Sequence, residues 1–346
     1  MTVFLPVDCP RVTPAALRRL AEACTDNAAV PQTGPLPGAY ARQALPVLER
    51  RLAQGRLSLR EALTELDART VELDPSELVN VNRREDLAPP YATVGVDVVR
   101  LPGGEDSDRV AVEEPLELRA NGKPLAVTMR TPGDDEELAL GFLLSEGITP
   151  QSAAIPSDWS ANTVDVEVPD LDLGRVQRHF DTSSSCGVCG KGALEAVAVS
   201  SPRVESDLCV PVELVAELPD RLRSAQAAFA ATGGLHATGL FGPDGELLCL
   251  REDVGRHNAM DKVIGWAFRT GRLPLDDAVL CVSGRLSFEL AQKAAVAGCP
   301  LLVAVGAPSS LAVELARDRG ITLCGFVRNG RLNVYSEPRR IVVVNL

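Results

Sequence analysis

Apolar and polar positions change rhythm twice along the chain. Up to about residue 90 the spacing is helical. Thr13-Pro14 has the cap and first-turn pairing of a helix start, with Leu17, Leu20 and Ala21 on one face. Ser58-Leu59-Arg60-Glu61 reads as a capping box ahead of Leu63 and Leu66, and Ala39 to Ala53 forms a further helix broken or begun near Pro46. These signals predict a helical accessory module over residues 1–90, with no chemistry of its own.

From Ala92 the period shortens to two. Thr93 to Leu101 and Arg109 to Glu113 alternate as half-buried strands do, and Asn121-Gly122 between Leu116–Arg119 and Leu125–Met129 is a strong hairpin signal. Thr131-Pro132-Gly133-Asp134-Asp135-Glu136-Glu137 puts acidic groups at the positive end of a helix through Leu144, which Gly147 closes. Thr163 to Val168 alternates again. The reading is a strand- and hairpin-rich subdomain over 91–180, a cysteine loop over 181–195 and an α/β core over 205–346. In that core a second hairpin turns at Asp244-Gly245. Ala278 to Val282, Leu301 to Val305 and Ile321 to Phe326 are almost wholly apolar, as buried parallel strands are, and helical segments Ser287 to Ala297 and Ser309 to Arg319 separate them. The fold class is therefore α/β with successive parallel βαβ units, closed by an edge strand after Asn329-Gly330.

Composition narrows the function. At 346 residues, 45% apolar, the chain has material for more than one core, and no apolar run approaches the roughly 20 residues of a membrane span. The start, with Asp8, Pro10 and Pro14, lacks the pattern of a secretory signal. Nine cysteines, an odd number mostly set singly in apolar surroundings, suit reduced thiols and a cytoplasmic location. A net charge of −12 argues against nucleic-acid binding, which depends on Lys and Arg neutralising phosphates.

Candidate chemistry gathers at a few places. Ser183 to Gly192 presents Cys186 and Cys189 among serines and glycines, beside Lys191, which favours a thiolate. Such a pair can hold a metal, form a disulfide or carry sulfur as a persulfide. Structural zinc needs four ligands and a second C-x-x-C is absent; a zinc deaminase needs His-x-Glu, yet His236 precedes Ala237-Thr238. A thioredoxin-type pair opens a helix, whereas this composition suggests a mobile loop; spacing alone does not separate redox from sulfur transfer. Gly233-Gly234-Leu235-His236 can approach an anionic group closely. Arg251 to Lys262 packs seven ionisable side chains around one helix start, either a solvated face or a site containing His257. Ser283-Gly284-Arg285 and Phe326-Val327-Arg328-Asn329-Gly330-Arg331 follow parallel strands, where open α/β sheets bind ligands, and suggest a phosphate-bearing one.

Met129 to Glu136, Ser184 to Gly190, Thr232 to His236, Glu252 to Ala259 and Ser283-Gly284-Arg285 together resemble the formate dehydrogenase accessory sulfurtransferases, the FdhD family, over about residues 94–341. Residues 1–90 lie outside the pattern. The resemblance implies a cytidine-deaminase-like α/β domain and a sulfurtransferase. It would take sulfur from a cysteine desulfurase as a persulfide on Cys186, with Cys189 assisting. The sulfur would pass to the molybdenum or tungsten of a bis-molybdopterin guanine dinucleotide cofactor for the catalytic subunit of formate dehydrogenase. The segment Phe326 to Arg331 would contact that cofactor, with Gly233, Gly234, His236, His257, Ser283, Gly284 and Arg285 helping to hold it. No permanently bound metal is expected, and a homodimer suits the family. The competing readings are a non-catalytic cofactor-binding chaperone and a C-x-x-C redox or zinc protein.

Overall fold

The computed structural model describes residues 2–4, 12, 14–73, 78, 92–156, 162–169, 199 and 201–343. The chain divides into two units, Met1–Pro90 and Tyr91–Leu346.

The first unit contains β1 (Thr2–Phe4), α1 (Pro14–Ala23), β2 (Ala28–Pro31), β3 (Gly38–Tyr40), α2 (Leu45–Ala53), α3 (Leu59–Glu65) and β4 (Arg69–Val71). A purely helical module is thus corrected to a mixed one, with a sheet ordered β1-β3-β2-β4. Its strands are three or four residues long, too short to show a period of two, and β2 and β3 are rich in Ala, Gly and Pro. The capping box forms, Ser58 Oγ accepting from the Glu61 N–H at 3.3 Å. Arg51 is buried, and donates to Glu61, Glu65 and the Ser58 carbonyl.

In the second unit β5 (Thr93–Arg100) pairs with β6 (Gly104–Ala111), and β7 (Glu114–Ala120) with β8 (Lys123–Arg130). Asn121 and Gly122 both take positive φ, 50° and 77°, as a tight hairpin requires. α4 (Asp135–Ser145), β9 (Ser152–Ala154) and β10 (Thr163–Glu167) follow, giving a sheet ordered β8-β7-β10-β9. Leu138, Ala139, Leu140 and Leu143 of α4 pack with Leu116, Leu118, Val164 and Val166 of the sheet.

The chain continues through β11 (Val210–Pro211), α5 (Val212–Ala225), α6 (Ala227–Thr232), β12 (His236–Phe241), β13 (Leu247–Asp253), α7 (Arg256–Arg269) and β14 (Val279–Val282). After these come α8 (Phe288–Val296), β15 (Leu301–Ala304), α9 (Ser310–Arg319), β16 (Thr322–Arg328), β17 (Arg331–Ser336) and β18 (Ile341–Val342). Six of the strands form one sheet, β13-β12-β14-β15-β16-β17, parallel across β14-β15-β16 and antiparallel elsewhere. The apolar runs are buried on both faces. Leu280, Val282, Leu302 and Leu323 meet α7, α8 and α9 through Met260, Val263, Leu290, Ala294 and Ala316. Val279, Cys281, Val303 and Cys324 meet Val215, Leu218 and Leu222 of α5. The architecture is therefore mixed α/β, with the βαβ units where the apolar runs place them.

α4 crosses α7 at backbone contact. A Cβ added to Gly141 would lie 1.8 Å from the Asp261 carbonyl oxygen, and one added to Gly265 would lie 1.8 Å from that of Glu137. Among the described residues no helix is long and apolar enough to cross a membrane.

Candidate functional site

Strand direction decides what collects at one edge of the six-stranded sheet. β14, β15 and β16 are parallel, so the segments after them, Ser283-Gly284, Val305-Gly306 and the end of β16 at Arg328, emerge on the same side. β12 runs against β14, so its beginning, Gly233-Gly234-Leu235-His236, reaches that side too. β13 runs against β12 and delivers Asp253 and the start of α7. Motifs far apart in sequence are thereby brought to one edge.

Close packing holds the strand ends. Ser283 Oγ accepts from the Ala237 N–H at 2.9 Å, and the Ser283 N–H returns a bond to the Ala237 carbonyl. The Gly306 N–H donates to the Gly284 carbonyl and the Phe326 N–H to the Gly306 carbonyl, both at 3.1 Å. A Cβ on Gly306 would come within 2.9 Å of the Gly284 oxygen, so the second strand end admits no side chain without displacing the first. Gly233 ends α6 in the left-handed region at φ 67°, with open space where a Cβ would stand.

A recess of about 480 Å³ opens at this edge. Gly233, Gly234, His236, Ser283, Val327, Arg328 and Asn329 border it, together with Pro219, Asp220, Arg223 and Gln226 from the α5 side and Phe229 from α6. A more open recess of about 760 Å³ beside it is lined by Phe326, Arg328, Asn329, Arg331 and Asn333. Arg328 and Asn329 belong to both. Phe326, at φ 54°, is left partly exposed. Gly330 turns the chain between β16 and β17 at φ 70°. Burial pushes the His236 imidazole below its ordinary pKa, with Arg256 adding to the effect and Asp253 opposing it.

Gly330, Gly284, Arg285 and His257, all anticipated site residues, line neither the second recess nor the first. Gly284 passes beside it, at a spacing that would leave a Cβ 3.6 Å from His236 Nδ1. Arg285 is exposed on the turn after it. His257 faces α8, its Nε2 3.3 Å from Ser287 Oγ and 3.9 Å from Glu289. Burial drives the His257 pKa down to about 4, helped by Lys293 and Arg256 and opposed by Glu289, so the ring is neutral near pH 7.

Much of the charged run Arg251 to Lys262 is spent in internal pairs rather than on a solvated face. Lys262 Nζ lies 2.8 Å from Asp253 Oδ2 and donates to the Thr131 carbonyl at 2.9 Å, with both side chains buried. Asp253 also accepts from the Thr131, Gly255 and Asn258 nitrogens. Asp261 pairs with Lys293 at 2.7 Å and accepts from Ser145 Oγ. Arg251 binds Glu137 at 2.7 Å. These groups fasten the Thr131-Pro132-Gly133 turn and α4 to the start of α7.

Cys186 and Cys189 lie outside the described residues, as does the whole of 181–195. The thiols of Cys249, Cys299 and Cys324 are pushed up to about 12 by burial, and that of Cys281 higher still, which makes them poor nucleophiles at neutral pH. Among the described residues no group of three or more His, Cys, Asp or Glu side chains could hold a metal ion.

The recess residues of α5 and α6 carry no motif, and sequence reading passes over them. The available signal is the three-residue spacing of Asp220 and Arg223, which makes them neighbours on one helix face.

Comparison with known proteins gives a consistent result. The family model described as FdhD/NarQ matches residues 111–342, leaving residues 1–110 outside it. The sulfur carrier protein FdhD of Streptomyces avermitilis is 51% identical over 270 residues, covering 71% of this chain and 94% of the relative. Its counterpart in Mycobacterium tuberculosis is 51% identical over 256 residues, covering 68% and 92%. A crystal structure of a candidate formate dehydrogenase accessory protein from Desulfotalea psychrophila superposes with a TM-score of 0.57 at 28% identity, covering 72% of this chain and 98% of the other.

Proposed function

This chain belongs to the FdhD/NarQ family, and on that premise we propose that it carries sulfur from a cysteine desulfurase to a bis-molybdopterin guanine dinucleotide cofactor destined for formate dehydrogenase. The observation that carries this reading is the gathering of Gly233, Gly234, His236, Ser283, Arg328 and Asn329 around one recess of about 480 Å³. Open space at Gly233 lets backbone approach an anionic ligand, and Arg328 supplies positive charge. The cofactor is the acceptor substrate, and its metal receives the sulfur. The cytidine-deaminase-like description of the α/β part and a cytoplasmic location, where thiols stay reduced, belong to the same proposal.

Thiol chemistry gives the sequence of steps. The Cys186 thiolate attacks the outer sulfur of the donor's persulfide, the donor cysteine leaves as thiolate, and Cys186 holds the persulfide. The Cys189 thiolate then attacks Cys186 Sγ. A Cys186–Cys189 disulfide forms, and the outer sulfur departs as hydrosulfide to become a metal ligand. The two cysteines supply the two electrons that reduce the sulfane sulfur, so a dithiol reductant must reset the pair after each turnover. The buried core thiols are unsuited to this chemistry, because only the thiolate is nucleophilic.

The test is to incubate the full chain with a cysteine desulfurase and cysteine and map sulfur adducts by mass spectrometry without reductant. One added sulfur on Cys186, lost in Cys186→Ala, supports the carrier step. An active donor that leaves every cysteine unmodified would sink it. Cys189→Ala that still completes many turnovers without added reductant would remove the electron-supplying role of Cys189.

A further inference from the structure

Asn-Gly occurs twice in the chain, at Asn121-Gly122 and at Asn329-Gly330, and each pair forms the two-residue turn of a hairpin. The backbones are nearly the same, with φ of 50° and 77° at the first and 52° and 70° at the second. The tethers differ. The Asn121 amide is held at both ends, Nδ2 donating to the Val168 carbonyl at 2.8 Å and Oδ1 accepting from the Val168 N–H at 3.0 Å. The Gly122 N–H donates to the Asp165 carboxylate, 3.0 Å from each oxygen. Asn329 and Gly330 are exposed, and among the described residues neither the Asn329 side chain nor the Gly330 N–H makes a hydrogen bond. Arg328 and Arg331 flank that second turn, opposite one another in the strand pair.

We propose that Asn329 is a site of spontaneous deamidation, and that Asn121 is protected from it. A side-chain amide is lost when the backbone nitrogen of the next residue attacks its carbonyl carbon, and glycine shields that nitrogen least because it has no Cβ. The Gly330 nitrogen gives up its proton and bonds to Asn329 Cγ. The bond from Cγ to Nδ2 breaks, and ammonia departs with a proton from water. Water then opens the cyclic imide at either carbonyl, leaving aspartate or isoaspartate at position 329. Nothing is oxidised or reduced. The cations of Arg328 and Arg331 stabilise both the nitrogen anion that attacks and the carboxylate that forms. At Asn121 the bonds to Val168 must first break, and the Asp165 carboxylate opposes loss of the Gly122 proton. The product carboxylate at 329 removes net positive charge from the border shared by the two recesses. Isoaspartate also adds a methylene to the backbone of a turn built for two residues.

Peptide mapping by mass spectrometry of the folded full chain, held warm at mildly alkaline pH, tests the assignment. Asn329 exchanges amide for acid at least about tenfold faster than Asn121, since each bond holding Asn121 is worth up to roughly that factor. The product is a mixture of aspartate and isoaspartate. Unfolding the chain in urea removes the tethers and brings the two rates together. Asp165→Ala frees the Gly122 N–H and speeds exchange at Asn121, with Asn329 in the same chain as the internal reference. Asn329→Gln, whose longer side chain closes the imide poorly, abolishes the acidic form that accumulates on ion exchange. Equal rates at the two sites in the folded chain, or an Asn329 amide that outlasts that of Asn121, would overturn the proposal. Exchange at Asn121 that stays as slow in Asp165→Ala as in the wild type would overturn the protection assigned to the Asp165 tether.

Discussion

Gly265→Ala sets helix propensity against packing with opposite signs. Alanine in a helix interior is favoured over glycine by about 1 kcal/mol, so the intrinsic expectation is a small gain. The crossing of α4 and α7 opposes it, because the new Cβ would lie 1.8 Å from the Glu137 carbonyl oxygen and 2.6 Å from its carbon. A carbon and a carbonyl oxygen in favourable contact sit about 3.3–3.6 Å apart, so the helix backbones must part by roughly 1.5 Å. The obstructing atoms are backbone and cannot swing aside as a side chain would. Overpacking costs about 1–3 kcal/mol and sometimes more, and a gap of 0.5–1 Å already forfeits about a quarter to a half of each neighbouring contact. Steric cost at the upper end less the propensity gain leaves a loss of about 2 kcal/mol, or about 4–8 °C in Tm for a unit of this size. Thermal denaturation followed by circular dichroism measures it, with Gly95→Ala as the control. Nothing lies within 4 Å of a Cβ at Gly95, and a change within about 0.5 kcal/mol is expected there. A rise in Tm for Gly265→Ala would refute the backbone contact between α4 and α7.

Lys262→Met leaves Asp253 buried without its cation and should cost about 3–5 kcal/mol, read as a fall in the urea midpoint at unchanged slope. His257 has a folded pKa of about 4 against about 6.5 unfolded. The unfolded chain binds more protons between those values, so this residue's contribution is intact above pH 6.5 and lost as pH falls toward 4. His257→Gln should flatten the Tm–pH curve in that window, and an unchanged slope would count against the partly buried, neutral imidazole. Arg328→Ala should weaken nucleotide binding several-fold with a smaller salt dependence, while sulfur loading of Cys186 by the desulfurase stays at the wild-type level. Impaired loading would place Arg328 on the donor side instead.

Periodicity is informative where one element buries one pattern. Asn121-Gly122 leaves little choice of turn, and the apolar runs near 279–282, 301–304 and 322–325 are buried on both faces. It fails for β2 and β3, where Ala28–Pro31 and Gly38–Tyr40 are held by neighbours rather than by their own alternation. Pro219 inside α5 obscures a helix that packing nevertheless holds. The motif residues of the recess stand out because glycine, serine and arginine at strand ends are chemically conspicuous. Asp220, Arg223 and Phe229 do not, since only the packing of α5 and α6 brings those ordinary helix residues to the cavity. The Glu252 to Lys262 run shows the reverse. Its charges are conspicuous in sequence, yet Asp253, Asp261 and Lys262 are consumed in internal pairs.

The mixed strand order has a consequence for synthesis on the ribosome. His236, Ser283, Val305 and Arg328 reach the recess from β12, β14, β15 and β16, which are made in that order. A nascent chain that has released everything before β16 exposes the glycine-rich turn and the α5 wall but lacks Arg328 and Asn329. Earlier segments can fold as they emerge, yet the lining is complete only once β16 has joined the sheet. Under the proposed role, ligand capture is thereby deferred until the strand bearing Arg328 has been added to the sheet.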